Sequence, residues 1–408
     1  MKNNKQTILI LPGSNWQVPL VKKCKKSGYR TLVVNPNTDS PAFLYADDYL
    51  VSDIFNEDLV VNYCRKEKID AILSDECDIA MPLIAKLGEM FSLSAIDKES
   101  ALLFTDKCKM RDFCKQNHLS YPEYKLCYTK EDAYAFFNLL KKKMIIKPLD
   151  SNSSRGVFVI ESEKDIDLFF DKALSFSRNE KAVVLERYIN GVEFTVDGIK
   201  TPNKHYSLVI SQKKHFKHNT NIASELYFSH YNKEFDYSIL RQVNDAFINK
   251  SGLEFGLTHA EYKYEDGKFF LIEIAARGGG NLISSDIVPI MTGIDNYEYL
   301  LNCSLGHVDS PHFSIESKYR NRVAILKFFD VPVSGGKVKE IEGEDFLQNH
   351  SNIVAYKINY SVGDIIKEVK DDAARFGFYI AYSESKEELD MLIEEIENKI
   401  QIICEEMD

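Results

Sequence analysis

The segment Thr258–Asn281, THAEYKYEDGKFFLIEIAARGGGN, constrains the fold of this chain more than any other. Two apolar runs with strand character flank Glu265–Gly267, whose Asp-Gly step is a strong hairpin signal. Each run carries one carboxylate, Glu261 in the first and Glu273 in the second, and folding the runs back antiparallel brings the two side by side. Arg277 and three consecutive glycines, Gly278–Gly280, follow at once. Like charges opposite each other destabilise a sheet unless something binds them. Two carboxylates facing one cavity suit a hard divalent cation that itself holds phosphate oxygens, and an adjacent arginine suits an anion or a developing oxyanion. The glycines would let backbone approach a small substrate and offer N–H groups to it. The plain alternative is a surface hairpin with a cross-strand charge cluster, the glycines being a tight turn.

The first hundred residues have a different rhythm. Strand patterns at Thr7–Leu11, Tyr29–Asn35, Asp48–Val51 and Ile69–Ser74 alternate with helix patterns at Val18–Lys26, Glu57–Glu67 and Ile79–Leu87. Such alternation predicts an open parallel sheet. The first turn, PGSNW, lacks GxGxxG, so a dinucleotide fingerprint is absent and this lobe is expected to be structural or substrate-facing. Helices are predicted over Asp106–His118, Ala133–Lys142, Lys164–Leu174 and Leu240–Gly252. Strands are predicted over Met144–Pro148, Val157–Ile160, Ala182–Glu186, Glu193–Gly198 and Tyr206–Ile210. A final α+β unit has strands near Val323–Phe329 and Ile353–Asn359 and an acidic helix, Lys386–Glu405.

At 408 residues the chain should hold two or three domains. A net charge of −11, with no segregated basic face, speaks against nucleic acid as a partner. No apolar stretch approaches the ~20 residues of a membrane span, and MKNNKQTILILPGS reads as a first strand rather than a signal peptide. The eight cysteines are scattered without a CxxC pair, which argues against a zinc site and a disulfide framework and for reduced thiols in a cytoplasm.

Two lysines draw notice. Lys147 ends a buried strand just before DSNSSRG, a small polar loop whose hydroxyls and N–H groups could close over a nucleotide phosphate; an exposed lysine before a proline turn is the alternative. The loop is not GxxxxGK[ST], so a Walker-type P-loop is excluded. Lys107 lies in the first turn of a helix capped by Thr105-Asp106, where a cation opposes the macrodipole unless it serves an anion. In VVLERYINGVE, Glu186 and the backbone after it could meet an adenine edge, and Glu193 could reach ribose. The basic stretch KKHFKHN holds His215 and His218, either of which could aid phosphate binding or simply lie in an exposed loop.

The order Lys107, Lys147 with its small loop, Glu186 with Glu193, then Glu261, Glu273 and Arg277 resembles the ATP-grasp superfamily over most of the chain. It is most similar to the branch with biotin carboxylase, carbamoyl phosphate synthetase halves and bacterial L-amino acid ligases. Within that branch IEIAARGGGN resembles the amino acid ligases, with two alanines between the metal-binding Glu and the Arg; Ala275 stands where carboxylase-type members usually carry a further metal ligand, Asn.

The resemblance implies an α/β and α+β chain, an ATP-grasp fold with an N-terminal Rossmann-like lobe. The implied division is 1–100 for that lobe, 101–310 for the ATP-grasp domain with a lid at about 144–189, and 311–408 for a C-terminal α+β part completing the core. It implies ATP as the nucleotide and Mg²⁺, with Mn²⁺ as a substitute, on Glu261 and Glu273. Lys107 and Lys147 would contact the α- and β-phosphates, and Ser153, Ser154 and Gly156 would belong to the closing loop. That loop departs from the family in having a single glycine. Glu186 would accept from the adenine amine, main chain at Tyr188 and Ile189 would read the ring edge, and Glu193 would bind ribose. Arg277 would be catalytic, stabilising an acyl phosphate and the tetrahedral intermediate. The implied activity is carboxylate–amine ligation with release of ADP and phosphate, on small substrates expected to be amino acids, in a protein compatible with a homodimer. A carboxylase or kinase of the same superfamily, and a nucleotide-binding module without turnover, are the rival readings.

Overall fold

The first lobe is built on parallel strand pairs; beyond it, the strand pairs among the described residues are antiparallel. The computed structural model describes residues 5–149, 156–177, 180–218, 222–330, 336–366 and 375–405. The N-terminal strands Thr7–Ile10, Arg30–Asn35, Asp48–Val51 and Ala71–Leu73 form a parallel sheet, in which the first strand lies between the second and the fourth. Helices Val18–Lys26 and Glu57–Glu67 have the predicted bounds. The first, second and fourth strands are almost wholly buried, as parallel strands covered by helices must be, while the edge strand Asp48–Val51 is half exposed.

An eight-stranded antiparallel sheet forms the centre. From one edge it runs Lys268–Ala275, Gly256–Glu265, Val192–Lys200, His205–His215 and Ala223–Ser229, and it continues through Val323–Phe328, Gly377–Ser383 and Ile353–Ile358. Residues 323–383 thus extend the sheet begun by residues 192–275. One face near the hairpin edge is apolar: Phe194, Val196, Ile210, Ala260, Tyr262, Phe269, Leu271 and Ile274 pack with Phe104, Met110 and Phe247 from helices. Because strand side chains alternate with a period of two, the residues between them, Glu193, Thr195, Asp197, Ser211, Lys213, His259, Glu261 and Lys263, share the opposite, polar face.

The hairpin closes at Asp266-Gly267, both with positive φ (48° and 81°), the backbone that a two-residue turn of this kind requires. Pairing runs regularly from Glu265 opposite Lys268 to Tyr262 opposite Leu271, then shifts so that Glu261 faces Glu273. Ile272 is the extra residue. Without it Glu261 would stand opposite Ile272, and Glu273 would point to the other face of the sheet.

A smaller four-stranded sheet, in the order Tyr124–Cys127, Val183–Arg187, Met144–Pro148, Phe158–Ile160, packs on helices Lys130–Leu140 and Glu163–Ser175. Three of its strands fall within the 144–189 span, and Tyr124–Cys127 lies before it. The C-terminal helix is shorter than predicted: Lys386–Lys399 is helical, but Gln401–Glu405 is a strand paired with Gly336–Glu342. The reason is local, since Gln-Ile-Ile-Cys-Glu turns Ile402 and Cys404 inward and its other residues outward, a period of two that a helix cannot satisfy. All eight cysteines are free thiols. Among the described residues no helix is long and apolar enough to cross a membrane.

Candidate functional site

Helix Lys107–Gln116 is capped by Asp106, whose carboxylate accepts from the Lys109 amide at 2.9 Å. Its inward face is Lys107, Met110, Arg111 and Cys114, so two cations one turn apart are driven against the sheet. Lys107 Nζ lies 3.1 Å from Glu273 Oε1, with the lysine side chain 7% and the glutamate 41% exposed. Arg111 is fully buried. Its Nε donates to Glu186 Oε1 at 2.9 Å and its Nη2 to the Ile272 carbonyl at 2.5 Å.

Glu186, 1% exposed, also receives Lys147 Nζ on Oε2 at 2.6 Å. Burial pushes its carboxyl up, but the Arg111 and Lys147 charges outweigh that and hold it at about 2. Lys147 goes the other way. Burial pulls it below the ordinary lysine range, and although Glu186 opposes this, Arg111 and Lys107 repel it. One carboxylate is held charged by two cations, whereas Lys147 has one carboxylate in its favour and two cations against it. Both Glu186 oxygens are thus engaged by buried cations, whereas the resemblance gives this side chain the adenine amine as its partner. The Tyr188 amide donates to the Lys143 carbonyl at 2.9 Å and is likewise engaged; its ring lies between Lys143 and Lys263, and Ile189 beside it is buried.

On the polar face of the sheet, Lys213 Nζ bridges Glu193 Oε1 at 2.6 Å and Glu261 Oε1 at 2.9 Å. His215 Nε2 and Lys263 Nζ approach the other Glu193 oxygen at 3.4 and 3.8 Å. Burial lowers the Lys213 pKa, yet its two carboxylates raise it further, and burial raises those of Glu193 and Glu261, yet Lys213 leads in holding both down. These groups are charged together. His218 lies apart, its ring against Phe216.

Gly156 has φ +74°, and a Cβ there would come within 2.8 Å of Pro148 Cγ and 2.7 Å of Phe176 Cδ2. Glycine is needed where this loop rejoins the sheet. Ser153 and Ser154 lie outside the described residues.

Arg277 is held by residues that the sequence did not single out. Its Nε and Nη2 form a two-pronged pair with Asp78 at 2.8 Å each, and Nη1 donates to the Gly278 carbonyl at 2.8 Å. Burial lowers its pKa, but the Asp78 charge more than restores it. The glycine amides are also occupied: Gly278 donates to Asp75 Oδ1 at 2.9 Å and Gly279 to Asp197 Oδ1 at 2.8 Å. Asn281 and Leu282 donate to the two oxygens of Glu76 at 2.9 and 3.0 Å. The expectation that Gly278 and Gly279 offer their N–H groups to a substrate is thereby corrected, since carboxylates of the protein take them. A Cβ on Gly278 would lie 1.8 Å from Ser284 Oγ, and one on Gly279 2.5 Å from Asp197 Oδ1, so the glycines allow this close docking.

Asp75, Glu76 and Asp78 follow strand Ala71–Leu73 at its carboxyl end, where ligands bind in open parallel sheets. The run Ser-Asp-Glu-Cys-Asp after a predicted strand was the available signal. For Arg111 the signal was its i+4 spacing from Lys107.

Among the described residues, no three or more His, Cys, Asp or Glu side chains converge as a metal cluster. The pair Glu261/Glu273 nevertheless fits a small divalent cation. Such an ion is commonly bound by one or two carboxylates, with phosphate oxygens and water supplying the rest, and these two project from one face, 26% and 41% exposed.

Residues 140–286 match the family model of the ATP-grasp domain, and residues 329–405 match the model of L-amino acid ligase C-terminal domain 2. Dapdiamide A synthase of Enterobacter agglomerans is 24% identical over 267 residues, 62% of this chain and 60% of that protein. The chain spans about half to three-fifths of the length of the first curated relatives it matches. An L-amino acid ligase from Bacillus licheniformis superposes over the whole of both chains with a TM-score of 0.82 at 20% identity. A phosphoribosylglycinamide synthetase from Anaerococcus prevotii superposes over 98% of this chain and 100% of its own with 0.76, also at 20%. At such identities the superpositions establish the fold. Residues 140–286 are thus an ATP-grasp domain, and residues 329–405 match the C-terminal domain 2 of the L-amino acid ligases.

Proposed function

We propose that this chain is an ATP-dependent carboxylate–amine ligase that joins small substrates, amino acids in the first instance, into an amide. The observation that carries the reading is the register shift at Ile272, which sets Glu261 and Glu273 on one face between Lys107 and Lys213. Glu261 and Glu273 would hold the divalent cation, Mg²⁺ or Mn²⁺ in its place, which supplies charge neutralisation for the phosphates of ATP. Lys107 and Lys147 present buried positive charge to the phosphates, and in this reading Ser153, Ser154 and Gly156 would contact them as well. Glu193, beside Lys213 and His215, is the ribose acceptor in this reading, next to the main chain of Tyr188 and Ile189.

A substrate carboxylate oxygen attacks the γ-phosphorus as the bond to ADP breaks, giving an acyl phosphate. The amine nitrogen then attacks the acyl carbon, the carbon–oxygen bond to phosphate breaks, and the nitrogen gives up a proton to the departing phosphate or to water. Positioning and fixed charge supply most of the catalysis. Arg277 has five N–H donors, and its three described contacts leave two for an oxyanion. Asp78 orients it. The reading divides the chain at about residues 100 and 310, with a lid over 144–189, and places it in the cytoplasm. The names of two relatives, a dapdiamide A synthase and an L-amino acid ligase, support amino acid substrates, and Ala275 in the Asn position disfavours the carboxylase reading.

The test is an ADP-release screen over amino acids in pairs, followed by ¹⁸O-labelled carboxylate. Amine-dependent ADP release with one label passing to phosphate is the expected result. Label in AMP, or ADP release that ignores the amine, overturns the reading.

A further inference from the structure

Arg111 sits where two parts of the site meet. One edge of its guanidinium holds Glu186, which holds Lys147; another holds the carbonyl of Ile272, the extra residue of the bulge. Four residues earlier on the same helix face, Lys107 reaches Glu273, the next residue after the bulge. Two cations one helical turn apart therefore grip two consecutive residues of the hairpin. From the other side, the Leu271 amide donates to the Ser120 carbonyl at 3.0 Å, so both residues before Glu273 are pinned by the segment that contains this helix. Arg111 is wholly buried and its Nη1 has no partner among the described residues. A lysine could keep the Glu186 pair, but as a single point charge it cannot also span to Ile272.

We propose that Arg111 is a positioning residue that locks the Ile272 bulge, so that Glu273 faces the same side as Glu261, and ties that geometry to the Glu186–Lys147 pair. The inference rests on the ligase reading above for the meaning of the two carboxylates. Partners that orient a metal ligand commonly carry a 10–100-fold share of metal affinity.

The experiment uses the full chain and the variants Arg111→Lys and Arg111→Gln, each shown to be folded by circular dichroism. The readout is the melting-temperature gain from ATP with excess EDTA and from ATP over a Mg²⁺ titration. In the parent the gain should grow with Mg²⁺. In Arg111→Lys the EDTA gain should persist, while the half-saturating Mg²⁺ rises at least about tenfold; Arg111→Gln should lose both gains, because Lys147 loses its oriented partner as well. If either variant fails to fold, hydrogen exchange on the parent decides. ATP with Mg²⁺ should slow exchange of residues 107–116 and 270–275 together, and slowing of one segment alone overturns the proposal. A folded Arg111→Lys with the parent's half-saturating Mg²⁺ also overturns it. A parent that gains nothing from ATP with Mg²⁺ overturns the ligase reading itself, a result distinguishable because it appears before any substitution is made.

Discussion

Glu186 and the pair Glu261/Glu273 make an instructive comparison, because all three glutamates lie within strands and all three read from sequence as ligand-binding. Glu186 is 1% exposed and shared by Arg111 and Lys147. Glu273, by contrast, is 41% exposed and meets one lysine. A buried carboxylate with two cations is a structural keystone, and removing its charge strands two positive groups. A partly open carboxylate can exchange its cation for another. The difference follows from desolvation: full burial makes exchange with water or ligand expensive, whereas half-exposure does not.

The largest effect expected from this contrast is on stability. Glu186→Gln leaves Arg111 and Lys147 buried without their counter-charge and should cost about 3 kcal/mol, read from the shift in urea midpoint. A change below ~1 kcal/mol would place Glu186 in the same class as the hairpin pair. Next comes Glu273→Gln. It should leave the urea midpoint close to the parent's but cut Mg²⁺-dependent ADP release on the order of 100-fold, or ~2.7 kcal/mol in the barrier. Parent-level turnover in this folded variant removes Glu273 from the metal site.

A pH series sharpens the comparison at smaller amplitude. The Glu186 pKa is lower folded (about 2) than its ordinary value of 4.5. Its contribution is therefore fully present above pH 4.5 and is lost as the pH falls from there through about 2. Over that window the parent should lose stability more steeply than Glu186→Gln, by up to roughly 1.4 kcal/mol per pH unit. Parallel acid curves would show that Glu186 is not held down by its cations. The smallest effect belongs to the turn that sets the hairpin. Gly267 has φ +81° and open space where a Cβ would go, so Gly267→Ala should cost only the left-handed backbone penalty, about 1 kcal/mol. A much larger loss in thermal unfolding would mean that the register at Glu261 and Glu273 depends on the turn itself.

Much of the architecture was legible because it is local. Helices Val18–Lys26 and Glu57–Glu67, the parallel first lobe and the hairpin at Asp266-Gly267 all follow from periodicity and turn chemistry within a few residues. The C-terminal helix was overextended because charged residues at Glu394–Lys399 mask the switch to period two at Gln401. The site was less legible. Lys107, Lys147, Glu193, Glu261, Glu273 and Arg277 were singled out, but Arg111, Lys213 and the Asp75–Asp78 run were not, since each earns meaning only from a partner far away in sequence.

The sequence by itself determined most of the segments and the inventory: which stretches become strand or helix, where the hairpin turns, and that Arg277 and three glycines follow its carboxylates. The tertiary structure decided how those charges are divided. Asp78 meets Arg277 across about two hundred residues, Arg111 reaches both Glu186 and Ile272, and a one-residue bulge turns Glu273 toward Glu261. The physical reason is that a charge's role depends on its desolvation and on the distance to its counter-charge, and neither exists until distant segments have packed together.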